Sequence, residues 1–311
     1  MGKYKEQIDG YTPEEVAALE LKASLEAEQQ QYEERPKGRL IDIIYNSFPH
    51  EQKEAQKDLT FSPSMLSDCR RKIYYNKTGE KQSNPIGLPS LLKMRWGNIL
   101  HDDIQQILIK QGILESHEIL KSIEYNGLTW RYKYDGIVND GGERYLLELK
   151  TVYASGWKSI EDKPKEEHVL QAISYMIFEN INNAIILYAG RDNAFLKQHK
   201  VQILTGEDSE GLPTQFVTVN GFKTNLMEVW RNRIAGITEV KYRVENRILP
   251  DRDFQMVFKN TNGVITDEFQ KDGSKLKSSW QCSYCSHQDT CWREVKDKMK
   301  EHKFFIAGKF S

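Results

Sequence analysis

The spacing of apolar residues changes along the chain between a helical period and a strand-like alternation. From Pro89 to Gly112, apolar residues recur three or four positions apart, which predicts one long helix with an apolar side. That side comprises Leu92, Trp96, Leu100, Ile104, Ile107 and Leu108. Similar spacing predicts a helix from Ser62 to about Asn76, one over 165–179, and one from Leu226 to Ile237.

The middle of the chain alternates apolar and polar residues, as β-strands do. Strands are predicted over 119–125, 129–138, 145–152, 184–189 and 195–203. The turn sequence Asn139-Asp140-Gly141-Gly142 joins the second and third of these into an antiparallel hairpin. Because helices precede, interrupt and follow the strands, the pattern predicts an α/β fold with a mixed central sheet flanked by helices.

The pattern divides the chain into four sections. Residues 1–36 are an acidic, helix-prone arm, in which Thr12 and Glu15 predict a capped helix start. A helical section (37–115), a strand-rich core (116–240) and a C-terminal tail (241–311) follow. The apolar stripe of the arm is thin, so a solvated helix is favoured over a partner-binding one.

Composition and charge exclude several classes of protein. Hydrophobic residues make up 39% and charged residues 29% of the 311 positions, a balance typical of globular domains and not of disordered or fibrous chains. The 44 Lys and Arg balance 45 Asp and Glu, so any nucleic-acid site must be a local basic patch. The start is polar, and no apolar stretch is long enough to cross a bilayer. We expect a cytoplasmic protein, without membrane contact, whose four cysteines are reduced.

Three charged residues of the predicted hairpin indicate chemistry. Glu148 and Lys150 point to the same face of their strand, and antiparallel pairing brings Asp135, late in the preceding strand, close to Glu148. Two converging carboxylates are suited to bind Mg²⁺ or Mn²⁺, which activates a water for phosphodiester hydrolysis beside a lysine. A surface ion pair between Glu148 and Lys150 would explain these two residues equally well.

Two predicted helices beside the hairpin carry further polar residues at helical spacing. Gly97 and His101 share one face, where glycine permits a close approach and the imidazole can bind the same metal. His168, Gln171 and Tyr175 share a face of the helix that follows, where Gln171 can hold the lysine or a phosphate. The alternatives are a hydrogen-bonded structural histidine and an ordinary amphipathic helix.

Taken in order, these motifs resemble those of the PD-(D/E)XK nucleases. The set is most similar to RecB-type exonucleases and CRISPR-associated iron–sulfur nucleases, and it reads Gly97-x-x-x-His101, Asp135, Glu148-x-Lys150 and Gln171-x-x-x-Tyr175. The resemblance spans 61–291, and Tyr134 replaces the proline of the motif, which RecB-type members commonly lack. It implies four metal ligands: His101, Asp135, Glu148 and the carbonyl of Leu149. It also implies that Lys150 is catalytic and that Gln171 and Tyr175 belong to a DNA-facing helix.

The four cysteines form a second motif. Cys282, Cys285 and Cys291 are spaced as metal ligands, and Cys69 stands far before them. Four thiolates in a reducing compartment bind either zinc or an iron–sulfur cluster, with His287 as a substitute ligand. The layout, one cysteine before the core and a C-x2-C-x5-C group after it, resembles the iron–sulfur RecB-type nucleases. That resemblance implies a [4Fe–4S] cluster that clamps the N-terminal helical section to the tail.

The predicted helix around Cys69 is basic. Arg70 and Arg71, with the cations and tyrosines that follow, could pair with phosphates and stack on the bases of a DNA strand. A solvated basic helix face is an equal alternative.

The resemblance as a whole predicts a metal-dependent DNA exonuclease that hydrolyses phosphodiester bonds from single-stranded or frayed ends. Such an enzyme would use Mg²⁺ or Mn²⁺ and a [4Fe–4S] cluster, and would bind DNA, with a recombination or replication protein as a further partner. Two alternatives stay open at this point. One is a non-catalytic adaptor of the same fold that binds DNA ends or proteins, and the other is a zinc-stapled repair or restriction endonuclease.

Overall fold

The computed structural model describes residues 43, 58–84, 87–207, 209–261, 264–267, 279–298 and 304–307. The chain forms two compact units. The larger comprises Glu54–Asp253 and Cys285–Cys291, and the smaller comprises Met1–Lys53, Phe254–Tyr284 and Trp292–Ser311. The predicted arm, 1–36, lies outside the described residues, and the division into four sections stays a prediction.

Helices and strands come in runs along the described chain. The helices are α1 (Arg70–Thr78), α2 (Leu88–Lys110), α3 (Ala154–Trp157), α4 (Glu166–Glu179), α5 (Leu226–Glu245), α6 (Trp280–Ser283) and α7 (Gln288–Lys298). The first strands are β1 (Thr60–Phe61), β2 (Leu114–Ser116), β3 (Leu120–Tyr125), β4 (Leu128–Lys133), β5 (Gly136–Asp140) and β6 (Glu143–Val152). The remaining strands are β7 (Asn183–Gly190), β8 (Leu196–Glu207), β9 (Pro213–Val219), β10 (Phe222–Thr224), β11 (Met256–Thr261), β12 (Val264–Asp267) and β13 (Phe304–Ala307).

A seven-stranded mixed sheet is the centre of the larger unit. Its strand order is β10-β9-β8-β7-β6-β5-β2, and β6 and β7 are parallel while the other neighbours are antiparallel. The crossover from β6 to β7 contains α4, as a parallel connection requires. A three-stranded sheet, β1-β4-β3, belongs to the same unit, and the sheet β12-β11-β13 belongs to the smaller one. The prediction of a mixed α/β fold is therefore confirmed.

Helices cover both faces of the large sheet. On one face the main core joins α4, α5 and the three-stranded sheet, with Trp130, Phe178 and Trp230 buried at its centre. On the other face α2 packs Ile104 and Leu108 against a smaller cluster on β5, β6 and β7. Burial on both faces explains why β6 is apolar from Tyr145 to Leu149 except at Glu148.

The strand predicted over 129–138 is wrong, because it is two strands in two different sheets. β4 pairs with β3 in the small sheet, and β5 pairs with β6 in the large one. The chain leaves the ladder at Tyr134 and Asp135, where the Asp135 carboxylate accepts the Leu149 backbone N–H at 2.6 Å. Apolar and polar residues continue to alternate through the break, so the pattern contains no sign of it.

The single helix predicted from Ser62 to about Asn76 is also interrupted. A 3-10 turn over Pro63–Ser67 ends before Cys69, which has extended backbone angles and caps α1. The Asp253 carboxylate accepts the first free N–H of α1, that of Arg70, at 2.7 Å. A partner 183 residues away therefore restarts the helix, and a local pattern contains no information about it.

The predicted length of helix α2 is confirmed, but only part of its predicted apolar side is buried. Trp96 and Ile107 are 54% and 52% exposed, although the pattern places both on the buried side. Only the narrower stripe that includes Ile104 and Leu108 reaches the sheet.

Strands β9 and β10 were not predicted from the sequence. Within the described ranges, no helix is long and apolar enough to cross a membrane.

One buried hydrogen bond gives a test of the packing between α4 and α5. Trp230 Nε1 donates to Ser174 Oγ at 2.8 Å, and both side chains are buried. Ser174→Ala should lower the free energy of unfolding by about 1–3 kcal/mol, because it leaves a buried indole N–H without an acceptor. Denaturant titration measures this, with the exposed Ser159→Ala as the matched control. Equal losses in both variants would contradict the expectation.

Candidate active site

The site forms where the chain crosses from the small sheet to the large one. Asp135, in the break between β4 and β5, is fixed at both its side chain and its main chain. Its Oδ2 accepts the Leu149 N–H at 2.6 Å, and its carbonyl accepts a hydrogen bond from Gln105 Nε2 at 2.6 Å. Gln105 is a buried amide on α2, so this helix holds the break in place.

Glu148 and Lys150 occupy one face of β6, as the alternation predicts. The side chain of Glu148 is 1% exposed, and the Lys150 ammonium forms an ion pair with its Oε1. Lys150 Nζ also donates to Gln171 Oε1 at 3.2 Å, and Gln171 Nε2 donates to the Tyr175 hydroxyl at 2.9 Å. A row of hydrogen bonds from α4 therefore fixes the direction of the ammonium.

The imidazole of His101 completes the group from α2. Its Nδ1 lies 3.7 Å from Oδ1 of Asp135, and the ring is partly exposed. The candidate site thus draws residues from three places: α2, the β4–β5 break and β6. The predicted convergence of His101, Asp135, Glu148, Lys150 and Gln171 is present in the structure.

Burial dominates the electrostatics of the pair on β6. It raises the pKa of Glu148 to about 7, with Asp135 adding to the shift and Lys150 opposing it. Burial alone would lower the pKa of Lys150, but the nearby Glu148 and Asp135 carboxylates outweigh it and raise the pKa. Lys150 is therefore a stable cation at neutral pH.

The donor set fits a hard divalent cation. Two carboxylates and an imidazole are ligands that Mg²⁺ and Mn²⁺ accept, and Glu148 Oε1 is a buried oxygen that accepts no hydrogen bond of regular geometry. Within the described ranges, however, no three His, Cys, Asp or Glu side chains stand close enough together to hold a metal ion. In this arrangement the Lys150 ammonium balances the charge of the Glu148 carboxylate, and the Leu149 N–H donates a hydrogen bond to the Asp135 carboxylate.

Tyr175 lies in a different place from the one predicted. It is 4% exposed, and its ring packs against Tyr132 with the ring centroids 5.8 Å apart. The structure therefore gives Tyr175 a contact that orients Gln171, and not a surface that faces DNA.

His168, on the same face of α4, is a structural residue. Its Nδ1 lies 2.7 Å from the Tyr188 hydroxyl, and that hydroxyl accepts the Lys165 N–H at 3.0 Å. Burial, with the nearby Lys150 and Lys165 charges, lowers the pKa of His168 to about 3. The ring is neutral throughout the physiological range.

Arg70 and Arg71 were predicted to bind DNA, but the structure places both in internal contacts. Arg70 pairs with Asp253, with Nε donating at 2.7 Å, and with Glu239 on α5. Arg71 Nε donates to the Pro250 carbonyl at 2.6 Å. These donors are occupied by Asp253, Glu239 and the Pro250 carbonyl, and the contacts stabilise the packing of α1, so the two arginines are not available to phosphates.

Three of the cysteines, Cys69, Cys285 and Cys291, lie in the larger unit, but they do not stand close enough together to hold a metal ion in this arrangement. Burial raises the pKa of Cys285, and the charges of Cys69 and Cys291 raise it further. Arg71 Nη1 donates to Cys291 Sγ at 3.8 Å, so a cation lies beside this sulfur. Cys282 belongs to the smaller unit, where its N–H donates to Ser279.

Two neighbours shape the loop that carries Cys285. Asn84 donates to Ser286 O at 2.9 Å through its main chain and to Cys285 O at 3.2 Å through its side chain. The buried His287 ring bonds through Nε2 to Asn76 Oδ1 at 2.9 Å and packs on Tyr75. This role is structural and differs from the substitute ligand considered above.

Gln105 and Tyr188 support the site residues from behind and were not predicted from the sequence. Gln105 lies four positions after His101, so the same helical spacing that selected His101 would have selected Gln105. No comparable signal exists for Tyr188, which reads as one aromatic residue in a buried strand.

Similarity to known proteins is weak. No protein family and no curated protein matches the chain. One similar solved structure is described as "Crystal structure of SSO0001"; it is 15% identical, with a TM-score of 0.41, over 82% of this chain and 96% of that chain. Similarity at this level identifies neither the fold nor the function of this chain.

The buried His168 predicts a pH dependence of stability. Its pKa is lowered in the folded state, so the unfolded chain binds the extra proton between about pH 3 and 6.5. The parent protein should lose stability as the pH falls through this window, by up to about 1.4 kcal/mol per pH unit from this residue. His168→Gln should remove that part of the slope, as measured by denaturant titration from pH 4 to 7. The exposed His117→Gln is the matched control, and a parent slope retained in His168→Gln would contradict the assignment.

Proposed function

We propose that this chain is a metal-dependent deoxyribonuclease of the PD-(D/E)XK type. The observation that carries the proposal is the convergence of Asp135, Glu148 and Lys150 around a buried carboxylate oxygen without a regular hydrogen bond. A binding module has no need to bury the Glu148 carboxylate beside Asp135 and a lysine, since burying charge is costly unless the group has a use. The mixed sheet, with one helix on each face at this point, is consistent with that nuclease core.

Each residue of the site has a defined task in this proposal. His101, Asp135 and Glu148 would hold Mg²⁺ or Mn²⁺, with the Leu149 carbonyl as a further ligand. When bound, the ion supplies an activated water and positive charge at the phosphate. Lys150, oriented by Gln171, stabilises the negative charge that develops on the phosphate. Asp135 keeps its position through Gln105 and the Leu149 N–H.

The cysteines support a second group in the same proposal. Cys69, Cys282, Cys285 and Cys291 would hold a [4Fe–4S] cluster. The Arg71 contact to Cys291 supports this assignment, whereas burial raises the pKa of Cys69 and Cys285 and so favours their neutral thiols when no metal is bound. Such a site needs reduced thiols, so the proposal places the protein in the cytoplasm. Exonuclease action on DNA ends rests on the resemblance of the motifs.

Digestion of end-labelled linear and circular DNA with Mg²⁺ or Mn²⁺ tests the activity. We expect linear DNA, single-stranded or frayed at its ends, to be degraded and circles to resist. Cleavage of circular DNA would show that the activity is that of an endonuclease and not an exonuclease. An absence of cleavage with either ion, in protein that carries its cluster, would leave only the binding adaptor.

Lys150→Ala should lower the cleavage rate by about two to three orders of magnitude while metal binding persists, because one preorganised charge at the reacting centre is lost. Rates with Mn²⁺ and calorimetric Mn²⁺ titration measure the two quantities on one preparation. Lys223→Ala, at an exposed lysine of β10, is the matched control. Asp135→Asn, Glu148→Gln and His101→Ala should instead weaken Mn²⁺ binding. A Lys150→Ala rate within a few-fold of the parent rate would remove Lys150 from the mechanism.

Cys69→Ala and Cys285→Ala should bleach the protein and lower its thermal midpoint, because the cluster and the constraint that it places on the chain are lost. Asp135→Asn should stay coloured and stable while inactive, since carboxylates select a different, hard metal. Absorbance near 400 nm, metal content and thermal midpoint are measured on anaerobic preparations, with Ser286→Ala as the control. A colourless parent protein that contains zinc would show that the cysteines bind zinc and not an iron–sulfur cluster. A brown, stable Cys69→Ala protein would rule Cys69 out as a ligand.

A further inference from the structure

Two cations and a tyrosine cluster where the parallel strands β6 and β7 end. The guanidinium carbon of Arg191 lies 5.1 Å from the ring centroid of Tyr153, and Lys93 Nζ lies 5.7 Å from the same centroid. Arg191 is held by its Nε, which donates to Thr151 Oγ1 at 2.8 Å, and by its backbone N–H, which donates to the Val152 carbonyl at 2.8 Å. The cluster therefore has a fixed base.

The two cations have no acidic partner among the described residues. Arg191 and Lys93 are half-buried, and neither forms an ion pair with any residue in the described ranges. The adjacent Asp192 is engaged elsewhere, since its Oδ1 accepts the Ala154 N–H at 2.7 Å. Two like charges held near one ring repel each other, so an anion between them would be stabilised.

The Tyr153 hydroxyl points to the same conclusion independently. Its oxygen is buried and has no hydrogen-bond partner among the described residues. Buried polar atoms in native proteins are nearly always paired, so an atom of this kind indicates a missing partner. An oxygen acceptor between the two cations would supply one. Lys93 donates no hydrogen bond to any described residue, so its long side chain can move to admit a ligand.

The cluster lies beside the candidate active site. Thr151 follows Lys150 on β6 with its side chain on the opposite face, towards α2, and a Cβ at Gly97 would lie only 2.8 Å from Arg191 Nη2. Gly97 therefore admits the guanidinium against α2, one helical turn, or about 6 Å, from His101. This is the close approach for which a glycine is required at this position.

We propose that Arg191, Lys93 and the Tyr153 hydroxyl bind a phosphate of the DNA strand, next to the phosphate at the Asp135–Glu148 site. The inference rests on the proposed function for the nature of the anion. Two cations and one hydroxyl donor match the oxygens of a phosphate, and the two Nη groups of Arg191, which donate no hydrogen bond to a described residue, form a planar fork. The site would position the strand and would take no part in the chemistry.

Metal-free DNA binding tests the site separately from cleavage. The affinity of the full chain for a fluorescent 12-nucleotide single strand is measured in EDTA over a range of salt concentrations. Arg191→Ala should weaken binding about tenfold at low salt and reduce the slope of log K against log salt by about 0.7, the value for one phosphate contact to a single strand. Arg191→Lys should keep the slope. Tyr153→Phe should weaken binding about threefold without changing the slope, because only a neutral donor is lost.

Arg231→Ala, which removes an exposed arginine of α5, is the matched control for charge. Strands with and without a 5′-phosphate distinguish the source of the anion: an equal effect of Arg191→Ala on both assigns an internal phosphodiester, and an effect on the phosphorylated strand alone assigns the terminal phosphate. An Arg191→Ala slope equal to that of Arg231→Ala, or no measurable binding by the parent, would overturn the site. If the parent cleaves DNA normally and Arg191→Ala leaves the salt slope unchanged, only the phosphate subsite is ruled out. If Arg191→Ala reduces the salt slope but the parent does not cleave DNA, only the proposed nuclease activity is ruled out.

Discussion

The buried ion pair between Glu148 and Lys150 is the interaction on which the arrangement of the site depends. A carboxylate that is 1% exposed has lost its hydration, and a single ammonium seldom repays that cost in free energy. The surrounding structure therefore supplies further polar contacts to the pair. Gln171 accepts from Lys150, Tyr175 orients Gln171, and neither contact would be needed around an exposed pair. The alternative reading of a solvated surface salt bridge is wrong, because the pair lies within the core of the sheet.

Sheet topology explains why these contacts meet at one point. The parallel step from β6 to β7 requires a crossover, and the crossover places α4 directly over the face of β6 that carries Glu148 and Lys150. On the other face, α2 supplies His101 and Gln105 at the edge where the chain breaks at Asp135. The same strand ends also bring Arg191 and Tyr153 together, in line with the tendency of α/β sheets to bind ligands beyond the carboxyl ends of their strands.

The candidate site was largely predictable from the sequence because the positions of its residues follow from the periodicity of single strands and helices. Strand alternation places Glu148 and Lys150 on one face, and helical spacing selects His101 and Gln171. The fold could be predicted only in outline, since three features depend on distant partners. The break at Asp135 needs Leu149, the restart of α1 needs Asp253, and the exposure of Trp96 depends on how much of α2 the sheet reaches. Local periodicity in the sequence does not indicate any of these three features.

The basic residues show most clearly where sequence reasoning ends. Arg70 and Arg71 follow a cysteine in a basic run and look like a phosphate-binding helix, yet Asp253, Glu239 and the Pro250 carbonyl occupy their donors. Arg191 stands alone in a turn and attracts no attention in the sequence, yet it forms no ion pair with any described residue. The difference is one of tertiary pairing, because a cation acts on a ligand only when the protein leaves its charge unbalanced. In a chain whose positive and negative residues nearly cancel, the unbalanced cations identify a binding surface better than clusters of basic residues do.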